Sequence, residues 1–407
     1  MKKLLYILTR FPVPTETFIL NELRQVRREG IDYDLFAFHV DTEKASLPPY
    51  LEIKARELLG AHTIRGQAAF MELSTKKTGL MIKIAKERWC KKFHHLIQAA
   101  WLAKWCIDNN IGHIHAHYAY HSTSAARVIS ALTGISYSFT AHANDIFKSS
   151  WQMGEKIRDS LFCATCTGYN REYLLNTYKD IKQEKVHRIY HGIDTTLFLR
   201  SEKPSTREQT DSLKTVTVAR LREKKGIDYL IEALALLRSK GIPVIGKIIG
   251  SGPDESRLQQ LAIRHGIEKY ITFTGSLPHE DVKDALDKAD LFVLPSIIAP
   301  DGSRDGIPNV ILEAMAMELP VVSTRVSAIP EAVSHGKTGI LVPPKDSKSL
   351  ADAIEQLYLE PQKRSLMGQE GRNRVKTLFD LERNTQLLIH QFSMRLRSNP
   401  SHKSFSF

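Results

Sequence analysis

Short, continuously apolar segments alternate along this chain with longer segments in which apolar residues recur every three or four positions. The first pair shows the pattern: LLYIL (residues 4–8) is followed by ETFILNELRQVRREG (16–30). A short apolar run predicts a buried strand, and a period of three to four predicts an amphipathic helix. Strands and helices in alternation predict a parallel sheet with helices on both faces.

One polar segment interrupts this alternation. Residues 199–213, LRSEKPSTREQTDSL, show neither the apolar run of a strand nor the apolar period of a helix, which predicts a linker. The alternation of strands and helices restarts at TVTVARL. A chain of 407 residues exceeds the usual size of one domain. We therefore predict two open, doubly wound α/β domains, residues 1–198 and 214–381, with a last helix at about 382–400 that packs back on the first domain.

Hydropathy and cysteine content favour a cytoplasmic protein. No apolar run approaches the roughly 18 residues that a membrane span needs. The apolar N-terminal run ends at Leu8 without a cleavage site, which predicts a first strand and not a signal peptide. Four cysteines fit a reducing compartment. Cys163 and Cys166 stand three apart on a predicted strand and would face opposite sides, so neither a metal nor a redox role is predicted for the pair.

The net charge of +12 fits an anionic partner: nucleic acid, a membrane surface or a phosphorylated substrate. The segment 75–105 holds seven lysines and arginines between Lys76 and Lys92, interleaved with apolar residues at roughly helical spacing as far as Leu96. This pattern is typical of a basic amphipathic helix on an anionic membrane, and equally of a surface helix whose apolar face joins the core. No nucleic-acid-binding signature appears, so no nucleic-acid partner is predicted.

Cations follow the first strand of the second predicted domain. TVTVARL ends near Arg220, and Lys224, Lys225 and Gly226 precede the next helix. Ligands of open α/β sheets bind beyond the carboxyl ends of the strands. Cations, a glycine and a helix N-terminus in this order therefore predict an anion site, although surface cations are also commonly only solvated.

Two acids follow a later strand in the segment DGSRDGIPNVILEAM. Asp305 lies in the loop, Gly306 allows a tight turn, and Glu313 lies about one turn into a helix predicted near residues 310–318. A phosphate would repel a neighbouring carboxylate, so both acids are expected to bind neutral hydroxyls of a ribose or a sugar. Together with the cations they predict a nucleotide-sugar pocket.

These motifs resemble those of the retaining glycosyltransferases of family 4, which have the two-domain GT-B fold with both sheets facing a central cleft. The segment Asp305-x7-Glu313 is similar to the E-x7-E signature of that family, and Arg220 and Lys225 match its R-x4-K pattern. The turn GSGP, the tripeptide IPE at 329–331 and GILVP at 339–343 fit as well. The resemblance covers residues 1 to about 380. Asp305 departs from the family Glu by one methylene, which implies a different hexose or a closer loop.

The resemblance implies metal-independent transfer of a hexose from a nucleoside-diphosphate sugar, without a cofactor. Arg220 and Lys225 would hold the diphosphate, Glu313 would bind the ribose, and Asp305 would bind the donor sugar. Further substrate contacts are expected from the residues around the turns and the segment before the predicted helix: Gly192, Gly250, Gly252, Leu277 beside the base, Gly306, Ile307, Pro308 and Asn309.

In the first domain, His142 at the end of the strand SYSFTA matches the family histidine near the reacting carbon, and Asp145 is expected to contact substrate. The run HIHAHYAYH places three histidines on one strand face, with no nearby acid or thiol that would complete a metal site. His117 is expected to line an acceptor cleft. His115 is expected only to pack.

The first loop, RFPVPTETFI, resembles the branch that acts in bacterial exopolysaccharide and colanic-acid-type assembly. Glu16 is expected to bind or activate the acceptor hydroxyl; the alternative is that this segment only caps a helix through Thr15 or Thr17. We expect a lipid-linked saccharide acceptor in surface polysaccharide biosynthesis, with peripheral binding to the inner face of the cytoplasmic membrane.

Two other functions stay open on the sequence. A sugar-nucleotide epimerase of similar double fold would consume the donor without an acceptor. A two-domain sugar-binding protein without chemistry would have no need of Arg220 and Lys225.

Overall fold

The computed structural model divides the chain into two compact units, residues 1–192 with 381–407, and residues 193–380. It describes residues 3–13, 16–40, 56–57, 67–72, 79, 93–148, 151–201 and 212–396. The predicted boundary after residue 198 therefore lies six residues too late. The shift has a physical cause, since the Ile193 N–H donates to the Phe379 carbonyl at 2.9 Å and ties this crossover to the second unit.

The first unit contains a seven-stranded parallel sheet in the order β3-β2-β1-β4-β5-β6-β7. Its strands are β1 (Lys3–Phe11), β2 (Tyr33–Val40), β3 (Arg56–Glu57), β4 (Ile111–His117), β5 (Ser136–Ala141), β6 (Cys163–Thr165) and β7 (Val186–Arg188). Its helices are α1 (Thr17–Arg28), α2 (Phe93–Asp108), α3 (His121–Thr133), α4 (Ala143–Phe147), α5 (Met153–Asp159) and α6 (Gly168–Thr177).

Helices cover both faces of this sheet because its strands are apolar on both sides. In β1, Leu4 and Tyr6 join one buried cluster together with α1, whereas Leu5 and Ile7 join the opposite cluster with α2 and α3. The last helix of the chain (Leu381–Leu396) contributes Leu388 to the α1 side. This helix thus belongs to the first unit, far along the chain from the strands that it covers.

The second unit contains a six-stranded parallel sheet in the order β10-β9-β8-β11-β12-β13. Its strands are β8 (Leu213–Val218), β9 (Val244–Ile249), β10 (Ile271–Phe273), β11 (Leu291–Leu294), β12 (Val321–Thr324) and β13 (Gly339–Val342). Its helices are α7 (Ile227–Ser239), α8 (Glu255–Arg264), α9 (His279–Lys288), α10 (Asn309–Ala316), α11 (Ile329–Ala332), α12 (Ser347–Leu359) and α13 (Pro361–Leu378), so that the closing helix of the chain is α14. The prediction of two doubly wound parallel α/β sheets is confirmed.

Each sheet has a point at which the strand order reverses. β1 lies between β2 and β4, and β8 lies between β9 and β11. The chain leaves the two central strands of each sheet in opposite directions, which opens a crevice at their carboxyl ends. The loops after β1 and β4 in the first unit, and after β8 and β11 in the second, are therefore placed to form ligand sites.

Several sequence predictions lie on residues outside the described ranges. They concern the first part of the basic segment (residues 75–92, except residue 79), Thr15, most of the linker (202–211) and the end of the chain from residue 397. Within the described ranges, no helix combines the length and the apolar composition that crossing a membrane requires.

In the second unit, the loop after β8 is joined directly to the loop after β11. The Ile297 N–H donates to the Lys224 carbonyl at 2.8 Å. Gly226 follows with φ +65°, and a Cβ added there would lie 2.0 Å from the Pro295 carbonyl oxygen. Only glycine allows this approach, so the position fixes the geometry between the two loops.

Replacement of Gly226 by Ala is expected to destabilise the second unit more than the same change at Gly266. Both glycines have φ +65°, but a Cβ at Gly266 meets nothing within 4 Å. The left-handed backbone costs about 1–2 kcal/mol in both variants, and the clash with Pro295 should add about 1–3 kcal/mol in Gly226→Ala alone. Urea midpoints measured by circular dichroism would show the difference, and equal midpoints would contradict it.

Candidate functional site

Arg220 follows β8 and is exposed, with neither a hydrogen bond nor an ion pair to any part of the chain that the structure describes. Gly250 and Gly252, in the turn after β9, press against the residues on either side of it. A Cβ at Gly250 would lie 2.0 Å from the Ala219 carbonyl oxygen, and one at Gly252 would lie 2.1 Å from that of Leu221. These glycines therefore allow the turn after β9 to lie directly against the loop that carries Arg220, and this contact positions the loop.

Asp305 does not stand apart from the cations, contrary to the expectation that a phosphate site would exclude it. Its carboxylate lies 2.9 Å from Lys224 Nζ and 2.6 Å from Lys225 Nζ, and its side chain is only 12% exposed. Burial alone would raise the pKa of Asp305, but the two ammonium groups outweigh burial and hold it below its ordinary value. The two loops meet because β8 and β11 are neighbours in the sheet.

Glu313 is the acid of this region that has no partner. It lies on the fifth residue of α10, is half-buried, and forms neither a hydrogen bond nor an ion pair with any residue that the structure describes. Burial raises its pKa to about 7. An unpaired carboxylate at such a place gains hydrogen bonds only from a ligand or from water, and hydroxyl donors suit it.

The remaining predicted donor contacts lie on the same edge of the sheet. Gly306, Ile307 and Asn309 are half-buried, and Pro308 precedes the first residue of α10. Leu277 is half-buried in the loop after β10. That loop is connected to the β9 turn, since the Gly250 N–H donates to the Gly275 carbonyl at 2.8 Å and the Ser251 and Ser276 hydroxyls lie 2.8 Å apart.

In the first unit, the histidines of β4 pair with hydroxyls of β5. His113 lies 2.8 Å from the Ser136 hydroxyl and 2.7 Å from that of Ser138, and His115 lies 2.8 Å from Ser138 and 3.1 Å from Thr140. His115 is therefore part of a hydrogen-bonded ladder and does more than pack. Ser136 is half-buried and the other residues involved are fully or almost fully buried, so the ladder satisfies polar groups that would otherwise be costly there.

His117 continues this face but pairs with an acid. Its Nε2 lies 3.1 Å from a Glu22 carboxylate oxygen, and its ring is fully buried. Two predictions are thus wrong. An acid does lie near the histidine run, because α1 packs over β4, and a fully buried His117 cannot line an open acceptor cleft.

His142 is 6% exposed at the end of β5, and its Nε2 has no hydrogen-bond partner within the described part of the chain. Asp145 fixes the backbone beside it, since one carboxylate oxygen accepts from the His142 N–H at 2.8 Å and the other from the Ala119 N–H at 2.5 Å. Asp145 is fully buried, and burial raises its pKa to about 7. The structure gives it a positioning role in place of the predicted substrate contact.

Glu16 lies immediately before α1, at the reversal point between β1 and β4. Its carboxylate accepts a hydrogen bond from the Tyr118 hydroxyl at 2.8 Å, and burial raises its pKa. Thr17 is already inside the helix, so it is not the capping residue. Glu16 is half-buried and remains a candidate for contact with an acceptor hydroxyl.

A cavity in the first unit contains Gly192 in its wall. Its lining comes from α1, β5, β6, the segment after β7 and α14: Phe18, Glu22, Thr140, Ala164, Ile189, Tyr190, His191, Gly192, Leu381, Asn384, Thr385 and Leu388. Residues with carboxylate, imidazole, hydroxyl and amide side chains thus line one small cavity. They come from α1 near the start of the chain, from the strands, and from α14 near its end.

Sequence reasoning placed Lys224 in the predicted anion site without a contact of its own, and it missed Glu22 and His191 as members of these sites. Lys224 carried a local signal, because it stands next to Lys225. Glu22 and His191 carried none, since each is brought to its partners only by packing between elements distant in the chain. The serines of β5 did leave a signal, an alternation of hydroxyl residues that matches the alternation of histidines in β4.

Comparison with known proteins identifies relatives. The family model "Glycosyl transferases group 1" matches residues 200–374. The chain is 30% identical over 379 residues to the amylovoran biosynthesis glycosyltransferase AmsK of Erwinia amylovora, covering 87% of this chain and 90% of that one. It is 43% identical over 173 residues to the putative colanic acid biosynthesis glycosyltransferase WcaL of Salmonella typhimurium, a match that spans 42% of each chain and so less than half of that relative.

Solved structures share the fold at low sequence identity. The crystal structure of Anabaena Alr3699/HepE in complex with UDP and glucose has a TM-score of 0.72 and 18% identity, covering 97% of this chain and 100% of that one. The apo form of the lipopolysaccharide outer core galactosyltransferase WaaB has a TM-score of 0.70 and 15% identity, covering 97% and 99%. Both likenesses concern the fold.

Replacement of Glu313 by Gln is expected to stabilise the protein at neutral pH but not at acidic pH. The folded-state pKa of about 7 lies above the ordinary 4.5, so the native state holds this proton longer than the unfolded chain does. Wild-type stability should therefore fall as the pH rises from about 4.5 to 7. The advantage of Glu313→Gln should grow over that range to about 1–3 kcal/mol, measured by calorimetry at pH 5 and pH 8.

The exposed Glu268 provides the control, since Glu268→Gln removes a carboxylate of the same unit that faces solvent. It should leave the pH dependence unchanged. A Glu313→Gln variant whose stability follows the wild type at both pH values would mean that Glu313 is solvated in the native protein.

Proposed function

The chain belongs to the group 1 glycosyl transferases, and from that premise we propose that it moves a hexose from a nucleoside-diphosphate sugar to a hydroxyl of a saccharide during assembly of a surface polysaccharide. One observation carries the donor half of this proposal. At the reversal point of the second sheet, the exposed Arg220, the paired Lys224 and Lys225, and the unpaired Glu313 lie on loops and a helix that follow adjacent strands.

The diphosphate of the donor would bind to Arg220, Lys224 and Lys225. Arginine offers a planar fork and lysine a point charge to phosphate oxygens. An incoming diphosphate competes with the Asp305 carboxylate for the two ammonium groups. Exchange of the anion would turn Asp305 towards neutral donors, and the hydroxyls of the transferred hexose supply them. Glu313 would accept hydrogen bonds from the ribose.

The chemical difficulty in this reaction is the charge on the leaving diphosphate. The sugar develops positive character as the bond to the phosphate breaks, and the leaving oxygens gain negative charge. Fixed cations in a partly dry site stabilise that charge in the transition state. We propose that these side chains take the place of a metal ion, and that the leaving phosphate accepts the acceptor proton on the same face, which retains the anomeric configuration.

The acceptor would be handled by the first unit. Glu16 is half-buried, and burial raises its pKa, so it is suited to hold an acceptor hydroxyl close to the Tyr118 phenol. His142 would approach the donor sugar near the reacting carbon. A lipid-linked saccharide at an anionic membrane is the acceptor that the net charge of +12 favours.

A thermal-shift panel of UDP, GDP and ADP with their sugars tests the donor site. The nucleotide that binds should raise the melting temperature, because a ligand of the native state alone stabilises it. HepE is described in complex with UDP, so UDP is the first compound to try. Arg220→Ala and Lys225→Ala should each weaken nucleotide binding about 10- to 100-fold, as loss of a hydrogen bond to a charged group does.

Lys247→Ala is the matched control, since Lys247 is an exposed lysine on β9 of the same unit. Circular dichroism would show that each variant is folded. A folded Arg220→Ala, Lys225→Ala double variant that consumes donor at the wild-type rate would overturn the proposal. Nuclear magnetic resonance of the product distinguishes retention from inversion, and donor consumption without acceptor would indicate an epimerase.

Co-sedimentation with liposomes tests the membrane partner. The protein should pellet with vesicles that contain anionic lipid and should stay in the supernatant with neutral ones or in high salt. Lys83→Gln with Lys86→Gln, in the basic segment, should weaken pelleting more than Lys179→Gln with Lys182→Gln, which removes the same charge from exposed positions of the first unit. Equal recovery in the supernatant with both kinds of vesicle would contradict the proposal.

A further inference from the structure

Three potential ligands of a metal ion converge in the first unit, on segments that follow three different strands. One ring nitrogen each of His142 and His191 and the sulfur of Cys166 lie within 4.8 Å of one another. His142 follows β5, Cys166 follows β6 and His191 lies just after β7, and these strands are neighbours in the sheet. The parallel order therefore brings the three side chains to one edge.

The two imidazoles have unused hydrogen-bonding capacity inside the protein. The Nε2 atoms of His142 and His191 are both buried and both lack a hydrogen-bond partner in the described residues. A buried polar atom without a partner destabilises the folded protein unless a ligand or water supplies one.

Neighbouring groups hold these ligands in place. Phe18 stacks on His191 with ring centroids 4.1 Å apart, and the Phe18 and His142 centroids are 5.1 Å apart. The Asn170 side-chain amide lies 3.7 Å from Cys166 Sγ, directed to donate to it. Cys166 also lies two residues before α6, whose N-terminal dipole favours a thiolate. A donor to sulfur and a positive helix end are the supports that a thiolate ligand uses.

A second cluster of potential ligands, formed by Glu22, His115 and His117, is less suited to an ion. The ring nitrogens of His115 are already engaged by the Ser138 and Thr140 hydroxyls, at 2.8 and 3.1 Å. His117 Nε2 is engaged by Glu22 at 3.1 Å. An ion bound through those atoms would have to break these bonds. His117 Nδ1 has no partner in the described residues, but the first cluster offers an unpartnered Nε2 atom on each of two rings.

We infer that His142, Cys166 and His191 form a binding site for a thiophilic divalent cation of the zinc class. Two imidazoles and one thiolate are a common ligand set for Zn²⁺, with a fourth position left to water. The usual bond lengths place tetrahedral ligands about 3.4–3.6 Å apart, so small side-chain movements from the present separation suffice. Binding displaces the proton of Cys166.

Occupation of this site would inhibit sugar transfer. A metal bound to His142 removes the imidazole from the donor sugar, a consequence that rests on the role proposed for His142 above. The ion would thus oppose the reaction, in which Arg220 and the lysines of the second unit supply the positive charge.

Titration of the metal-free, full-length protein with Zn²⁺, in competition with a chromogenic chelator, tests the site. We expect one tightly bound ion per chain, and Co²⁺ as the probe should give a sulfur-to-cobalt charge-transfer band. Cys166→Ser should weaken Zn²⁺ binding at least tenfold and remove the band. Cys163→Ala, which changes a buried thiol in β6 just before Cys166, should bind as the wild type does. A Cys166→Ser variant that keeps both affinity and band would overturn the assignment.

Activity assays separate the two parts of the inference. Zn²⁺ should slow transfer by the wild type and a chelator should restore it, whereas Cys166→Ser should keep its activity in the presence of Zn²⁺. Full activity of the zinc-loaded wild type would overturn the inhibitory role. Absence of transfer from every donor by the metal-free protein would instead count against the proposed function, while the spectroscopic titration would still decide the metal site.

Discussion

The ion pairs between Asp305 and the two lysines determine how the second unit presents its site. The three side chains are all less than a third exposed, and the Asp305 carboxylate lies within 3 Å of both ammonium groups. Their pairing is possible because β8 and β11 are adjacent and parallel, so the loops that follow them end at the same edge. Without the carboxylate, two ammonium groups would face each other in a partly dry place, and their repulsion would favour any anion that replaced it.

Backbone contacts support that arrangement where side chains cannot. Gly226 lies against the Pro295 carbonyl, and Gly250 and Gly252 lie against the carbonyls on either side of Arg220. These glycines bring three consecutive loops close enough to act as one surface. Glycines in these turns predict that the backbone comes close to a ligand or to another segment of the chain. The structure shows that the close neighbour is protein backbone. The backbone on both sides of Arg220 is therefore held by close contacts, although the Arg220 side chain is exposed.

The first unit meets a different constraint, which is how to bury many imidazoles. The hydroxyls of β5 satisfy His113 and His115, Glu22 satisfies His117, and Asp145 fixes the backbone at His142. Polar groups in an apolar interior are tolerated when they are paired. Four buried ring nitrogens lack a hydrogen-bond partner in the described residues: Nδ1 of His117 and Nε2 of His142, His187 and His191. One ring nitrogen each of His142 and His191 lies close to the sulfur of Cys166, where the carboxyl ends of neighbouring strands meet.

The sequence by itself determined the two doubly wound sheets, because the periods of strands and helices depend only on which residues are apolar. It also determined which side chains the proposed donor site contains, since Arg220, Lys225, Asp305 and Glu313 occur in short local motifs. Strand order was decided only by the tertiary structure, and with it the pairing of Asp305 with Lys224 and of His117 with Glu22, as well as the meeting of His142, Cys166 and His191. Local sequence patterns indicate which face of a strand or helix is buried. They do not indicate which distant segment of the chain packs against that face.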